Sequence, residues 1–182
     1  QGKRLVMFGA MYATQDRRKG FAHLERSLAH LGEHVSPNDV EFVVLGADGP
    51  ANQLLHGFRL HYLGTIRDEA RLVQAYNVAD AFILPAEADN LPNVVKEATC
   101  CGIPCVGFNV GGMPDMVDHL ETGYLAQPFD AEELARGIAW VLARSTPELA
   151  AEVRRRAEQK HDHRIAVNRY LGFYQELLEG SA

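Results

Sequence analysis

The chain has 182 residues, 47% of them hydrophobic, enough for one domain with its own core. No run approaches the ~18 consecutive apolar residues of a membrane-spanning helix, and the few apolar residues between Arg4 and Gly9 are too short for a signal sequence and read as a strand. A net charge of −6, with no basic stripe and few aromatics, argues against a nucleic-acid surface; Cys100, Cys101 and Cys105, crowded into one apolar stretch, offer neither a disulfide framework nor a zinc cluster and fit a reducing, cytoplasmic setting.

In chain order, short apolar runs alternate with helical patterns. Strands are expected at Arg4–Gly9, Glu41–Gly46, Leu60–Gly64, Ala81–Pro85 and Pro104–Phe108, with a shorter one at Gly123–Ala126. Runs that are apolar on both faces suit strands covered on both sides, as in a parallel sheet. Between them, Phe21, Leu24, Leu28 and Leu31 share one helical face, and Leu72, Tyr76 and Ala79 share another. Asp130 followed by Glu133 predicts an N-cap with its capping box, opening a helix that turns Leu134, Ile138 and Val141 inward. Arg154–Arg156 lie on a polar helix and read as solvated. The His161-x-His163 pair reads as the start of a further helix, which spans residues 163–178 and carries Tyr170 and Tyr174. The alternation predicts one α/β domain, a doubly wound parallel sheet of about six strands with right-handed crossovers. In such a fold ligands sit beyond the carboxyl ends of the strands, where Gly9, Gly46, Gly64 and Pro85 fall. Glycine there lets a ligand approach the backbone, or is simply a turn residue.

Three segments follow strand ends. After Pro85, Asp89 and Asn90 are good caps and Pro92 suits a first turn, so a helix is expected from about residue 91 to Cys101, closed by Gly102. On it Glu97 neighbours Val94, Ala98 and Cys101, at the margin of a buried stripe. A carboxylate there needs partners: ribose hydroxyls would serve, as would backbone or a nearby Arg. The helix N-terminus suits an anionic or hydroxyl-rich ligand. The second segment, Gly9–Gly20, sets Arg17, Arg18 and Lys19 at a helix start, where cations oppose the helix dipole. A diphosphate would account for them, and so would solvation. Neither the P-loop pattern nor G-x-G-x-x-G is present. The third segment, Asn109–Asp115, carries paired glycines near the same edge.

Together these segments resemble a known family. The run from Tyr62 to Phe108 is similar to the donor-binding core of glycosyltransferase family 4, retaining enzymes of the GT-B fold. Arg18-Lys19-Gly20 and Val110-Gly111-Gly112-Met113-Pro114-Asp115 sit where that family has its phosphate and glycine loops, so the resemblance spans nearly the whole chain. It implies the C-terminal, Rossmann-like half of a GT-B enzyme that takes a UDP- or GDP-sugar and delivers the sugar to a glycan or lipid-linked acceptor, as in polysaccharide assembly. It further implies that Lys19 with Arg18 neutralises the diphosphate without a metal ion or other cofactor. Thr65 to Asp68 would line the base pocket with Ile66 against the base, Glu97 would hold the ribose, and Asp89 with the backbone from Asn90 to Asn93 would face the sugar. Gly9, Leu91, Asn93 and Val94 complete the expected donor-binding set.

The chain departs from the family pattern in places. Asp89 stands for the usual Glu, eight positions before Glu97, and Glu87 is its rival. Asn90-Leu91-Pro92 replaces Gly-Phe-Gly. Thr14 stands where an Arg precedes the Lys by five positions, with Arg18 as the candidate substitute. The expectation is a single donor domain over residues 1–182, lacking the N-terminal acceptor domain, inactive by itself, and able to form a homodimer through its exposed last helix or to sit at a membrane surface through the absent domain. The rival readings are a non-catalytic nucleotide-binding regulatory module, and an epimerase or phosphorylase of the same architecture, the latter without an evident pyridoxal phosphate site.

Overall fold

The computed structural model describes residues 2–9 and 14–180. Its centre is a seven-stranded sheet: β1 (Arg4–Gly9), β2 (Val40–Leu45), β3 (Gln53–Leu55), β4 (Phe58–Gly64), β5 (Ala81–Leu84), β6 (Cys105–Phe108) and β7 (Gly123–Ala126), in the order β3-β4-β2-β1-β5-β6-β7. All neighbours pair in parallel except β3, which runs antiparallel to β4. The six parallel strands thus follow the 3-2-1-4-5-6 order of a dinucleotide-type fold, reversing direction between β1 and β5. The edge strand β3 escapes a sequence reading because it is only three residues long. It turns back through His56 and Gly57, both at positive φ, the geometry of a tight hairpin.

Helices α1 (Phe21–Leu31), α2 (Glu69–Asn77), α3 (Asn93–Cys100), α4 (Met113–Met116), α5 (Ala131–Arg144), α6 (Pro147–His161) and α7 (His163–Glu179) complete the fold. The alternation of side chains along β1 shows the two layers. Val6 and Phe8 join Leu24 and Leu28 of α1 and Leu134 and Ile138 of α5 on one face. Met7 joins Tyr76 of α2, Val95 and Ala98 of α3 and Met116 of α4 on the other. The fully buried β5 and β6 are sandwiched between these layers.

Several local expectations change. The Asp130 carboxylate does cap α5, accepting from Glu133 N at 2.8 Å, but Glu133 reaches Gln127 N at 3.0 Å, so the reciprocal capping box does not form. Helix α3 begins at Asn93 with Pro92 as its cap residue, close to the expected start, but Asp89 and Asn90 do not cap it. Pro92 holds ψ at 112°, outside the helical range, and Asp89 and Asn90 are left free for the loop. Gly102 ends α3 at φ +80°, as expected. Arg156 is not a solvated cation: it pairs with Asp118 (2.9 Å), Glu121 (2.5 Å) and Glu152 (2.6 Å), and with Lys160 on Asp118 (2.7 Å) it ties α6 to the turn before β7. His161 closes α6 and His163 opens α7. Helix α7 packs little against the rest, and Val167, Tyr170, Leu171, Phe173, Tyr174 and Leu178 are each more than half exposed. Among the described residues, no helix is long and apolar enough to cross a membrane.

Candidate functional site

Two cavities meet beyond the carboxyl ends of the parallel strands. The larger, of about 490 Å³, is lined by Leu45 and Gly46 after β2, Thr65 and Ile66 after β4, Leu72 and Tyr76 of α2, the Leu91–Val94 segment, Glu97, Lys19 and Asp89. That volume lies within the range of small-molecule sites. The second, of about 410 Å³, is lined by Arg18, Lys19, Ala88, Asp89 and Asn90. Lys19 and Asp89 border both, so the two spaces are joined at one ion pair.

The segment carrying Lys19 is built tightly. Asp16 accepts from Arg18 N at 3.0 Å and caps a 3-10 turn over Arg17–Lys19. Gly20 then takes φ +79°, and a Cβ there would fall 1.8 Å from the Pro85 carbonyl oxygen, so only glycine lets α1 start this close to the end of β5. Glu87 N donates to Arg18 O at 2.9 Å, stitching the two loops together. Lys19 Nζ meets Asp89 Oδ2 at 3.0 Å, with both side chains about one quarter exposed. The Arg18 guanidinium is turned onto Asp16 at 2.8 Å and 3.1 Å, and this hydrogen bonding holds the Asp16 carboxyl below its ordinary value. Of the three cations at this junction, Lys19 is therefore the one that reaches both cavities.

The paired glycines lie at the edge their loop position suggested, against the backbone of the segment after β5. Gly112 N donates to Asp89 O at 3.0 Å, and a Cβ on Gly111 or Gly112 would lie 2.1 Å from Asp89 O or 1.7 Å from Asn90 O. The loop before α4 is a backing for the Asp89–Leu91 backbone.

The two candidate first acids separate. Glu87 faces His23 Nε2 at 3.2 Å and Arg17 Nε at 3.7 Å, and is absent from the lining of both cavities, whereas Asp89 borders both. The buried His23 ring, which also accepts from Arg26 and stacks on Phe129, anchors Glu87 on the α1 side. Glu97 is not buried at all: it is exposed at the cavity wall, with Oε2 accepting from the Tyr76 hydroxyl at 2.8 Å. Its partner is a phenol, rather than the backbone or Arg that the sequence suggested.

Of the remaining expected residues, Thr65, Ile66, Leu91, Asn93 and Val94 line the larger cavity and Asn90 the smaller. Gly9 and Asp68 are not among the described lining residues. A Cβ on Gly9 would meet Leu45 Cβ at 2.9 Å, so Gly9 serves strand packing. Asp68 caps α2 through Arg71 N at 2.8 Å. Residues 10–13 of the expected phosphate loop fall outside the described set. Leu45, Leu72 and Tyr76 were missed as lining residues, because at helical or strand periodicity they are indistinguishable from core.

A doubly wound sheet with a paired cavity at its strand-order reversal defines a Rossmann-like α/β domain. The family described as glycosyl transferases group 1 matches residues 2–144, and the chain belongs to that family. It is 32% identical over 130 residues to the sulfoquinovosyl transferase SQD2 of Arabidopsis thaliana, covering 67% of this chain and 25% of SQD2. The fold is shared with sucrose-phosphate synthase from Thermosynechococcus elongatus (TM-score 0.75, 23% identity, 98% of this chain and 46% of that one). It is shared too with Anabaena HepE in complex with UDP and glucose (TM-score 0.70, 21% identity, 96% and 48%). The chain spans about a quarter of SQD2 and about half of these two solved structures.

Proposed function

We propose that this chain is the donor-binding domain of a retaining family 4 glycosyltransferase, holding a nucleoside diphosphate sugar across the two joined cavities. The observation that carries this is the set of groups the two cavities bring together: Thr65, Ile66 and the Glu97 carboxylate line the larger, Arg18 and Asn90 the smaller, and Lys19 with Asp89 borders both. A base would lie against Ile66, ribose hydroxyls would bond Glu97, the diphosphate would take Lys19, and the sugar would enter the smaller cavity beside Asp89. UDP is the first ligand to test, since HepE is described with UDP and glucose.

Cleavage of the anomeric bond places negative charge on the leaving phosphate. A fixed ammonium at that point stabilises the transition state more than the ground state, and in a site sheltered from water it does so without a metal ion. In a retaining transfer the acceptor attacks from the face the leaving group departs. A second domain outside these residues would supply the acceptor and close the site. The apolar side chains of α7 are a surface for that domain, with self-association of this chain the alternative occupant.

Calorimetric titration with UDP, GDP, UDP-glucose, GDP-mannose and AMP tests the reading. Saturable binding of one diphosphate series, with AMP silent, is the expected result, and no binding of any diphosphate at millimolar concentration rejects it. Sugar transfer by the 182 residues alone would contradict the need for a second domain.

A further inference from the structure

The Tyr76 hydroxyl is the hydrogen-bond partner of Glu97, and Tyr76 is a core residue that also borders the cavity. The residue is 1% exposed, and its ring packs on Phe82 with centroids 5.9 Å apart within the layer that holds Met7 and Leu84. Its hydroxyl donates to Glu97 Oε2 at 2.8 Å, beside the cavity that both residues line. Burial, reinforced by the neighbouring Glu97, pushes the phenol well above its ordinary range, so it remains a donor at any working pH. Glu97 is exposed, and an exposed glutamate samples many rotamers; fixing it on a ligand costs entropy. A buried tyrosine has two torsions, both locked here by packing, so its oxygen is a stationary peg.

We propose that Tyr76 is a positioning residue for diol recognition. It anchors one carboxylate oxygen of Glu97, so that the carboxylate is presented pre-oriented to the two ribose hydroxyls of the donor. This rests on the nucleotide-sugar reading above and adds a specific dependence to it. One anchored oxygen keeps a lone pair and the other keeps both, enough to accept from a cis-diol while bonded to the phenol. The arrangement is that of a supporting shell holding a ligand-contacting group in its productive geometry.

The test is the ratio of affinities for UDP and 2′,3′-dideoxy-UDP, measured by titration calorimetry for the wild type, Tyr76→Phe, Glu97→Gln and the double variant. A ratio between two ligands on one sample is insensitive to the fraction folded. The wild type should favour UDP by about tenfold or more, as expected for hydrogen bonds to a charged group. Tyr76→Phe should lose most of that preference while binding dideoxy-UDP as the wild type does. In the Glu97→Gln background the tyrosine change should have no further effect. An unchanged ratio in Tyr76→Phe, or an equal loss for both ligands, overturns the positioning role and leaves a packing role. If the wild type binds UDP and dideoxy-UDP equally, Glu97 does not read the ribose, and the inference falls while nucleotide binding stands. If it binds neither, the nucleotide reading itself falls.

Discussion

Gly112→Ala isolates the backing role of the glycine loop. Gly112 has φ −88° and ψ 5°, which alanine tolerates, so the substitution brings no backbone strain and acts only through its methyl group. That methyl would sit 1.7 Å from Asn90 O and 2.7 Å from Asn90 C, both backbone atoms with no rotamer to escape through. Reaching the 3.0 Å that real contacts require means moving the Asn90 carbonyl, or the Gly112 backbone, by about 1.3 Å. Moving Asn90 carries Asp89 with it, and with Asp89 the ion pair to Lys19 that joins the two cavities. Misplacement on the order of 1 Å in a binding constellation costs roughly a hundredfold in activity. Overpacking of this kind costs about 1–3 kcal/mol in stability. The assay pairs urea denaturation with titration of the best ligand from the nucleotide panel. We expect the midpoint to fall and the affinity for the sugar nucleotide to drop by at least tenfold, with the unmodified nucleoside less affected because Thr65 and Ile66 lie elsewhere. A variant with wild-type midpoint and affinity would show that the 89–91 loop is not held by this contact.

Lys19→Ala should weaken binding of a nucleoside diphosphate by about tenfold or more while leaving the nucleoside within twofold, since charge-assisted contacts to phosphate are the strong ones; equal losses for both ligands would place Lys19 outside the phosphate site. Asp118 gives a pH prediction. Burial alone would raise its carboxyl, but hydrogen bonds from Lys160 and Arg156 outweigh it and hold the group below its ordinary 3.8. Its contribution is therefore complete above pH 3.8 and is lost as pH falls through the lower folded value. Asp118→Asn should cost about 1 kcal/mol at pH 7, with the gap to wild type narrowing in urea denaturation near pH 3; parallel curves at the two pH values would refute it.

How much of this was legible depended on the range of the forces involved. The parallel strands announced themselves because burial on both faces writes a continuous apolar run, as in Ala81–Leu84 and Cys105–Phe108. The helices were legible where one face is buried, as along Leu24, Leu28 and Leu31. The edge strand β3 was not, because pairing on one side only leaves no hydrophobic signature in three residues. Within the site, Lys19 stood out as one of three cations at a helix start, Glu97 as a carboxylate at the margin of a helical buried stripe, and Asp89 as an acid only through the family resemblance. The choice between Asp89 and Glu87 turns on a contact to His23 from sixty-four positions away, which no local pattern encodes. Tyr76 lay on the apolar stripe of α2, and its hydroxyl acquires a carboxylate partner only because α3 delivers Glu97 to it.

The charges of this site are already paired before any ligand arrives. Lys19 is held by Asp89 and Arg18 by Asp16; on the nucleotide-sugar reading, a diphosphate would either share the three-donor Lys19 ammonium with Asp89 or exchange its own oxygens for that carboxylate. Such an exchange gains less than capture by an unpaired cation would, because the attraction to Asp89 is surrendered as the attraction to phosphate is gained. The compensation is that Asp89, released at the junction of the two cavities, becomes an acceptor beside the space where the sugar would lie. A nucleotide without a sugar would strand that carboxylate, whereas a sugar nucleotide would bring hydroxyls to it. On that reading, exchange at the one ion pair shared by both cavities would favour the complete donor over the spent nucleotide, and a sugar nucleotide binding more weakly than its parent diphosphate would refute it.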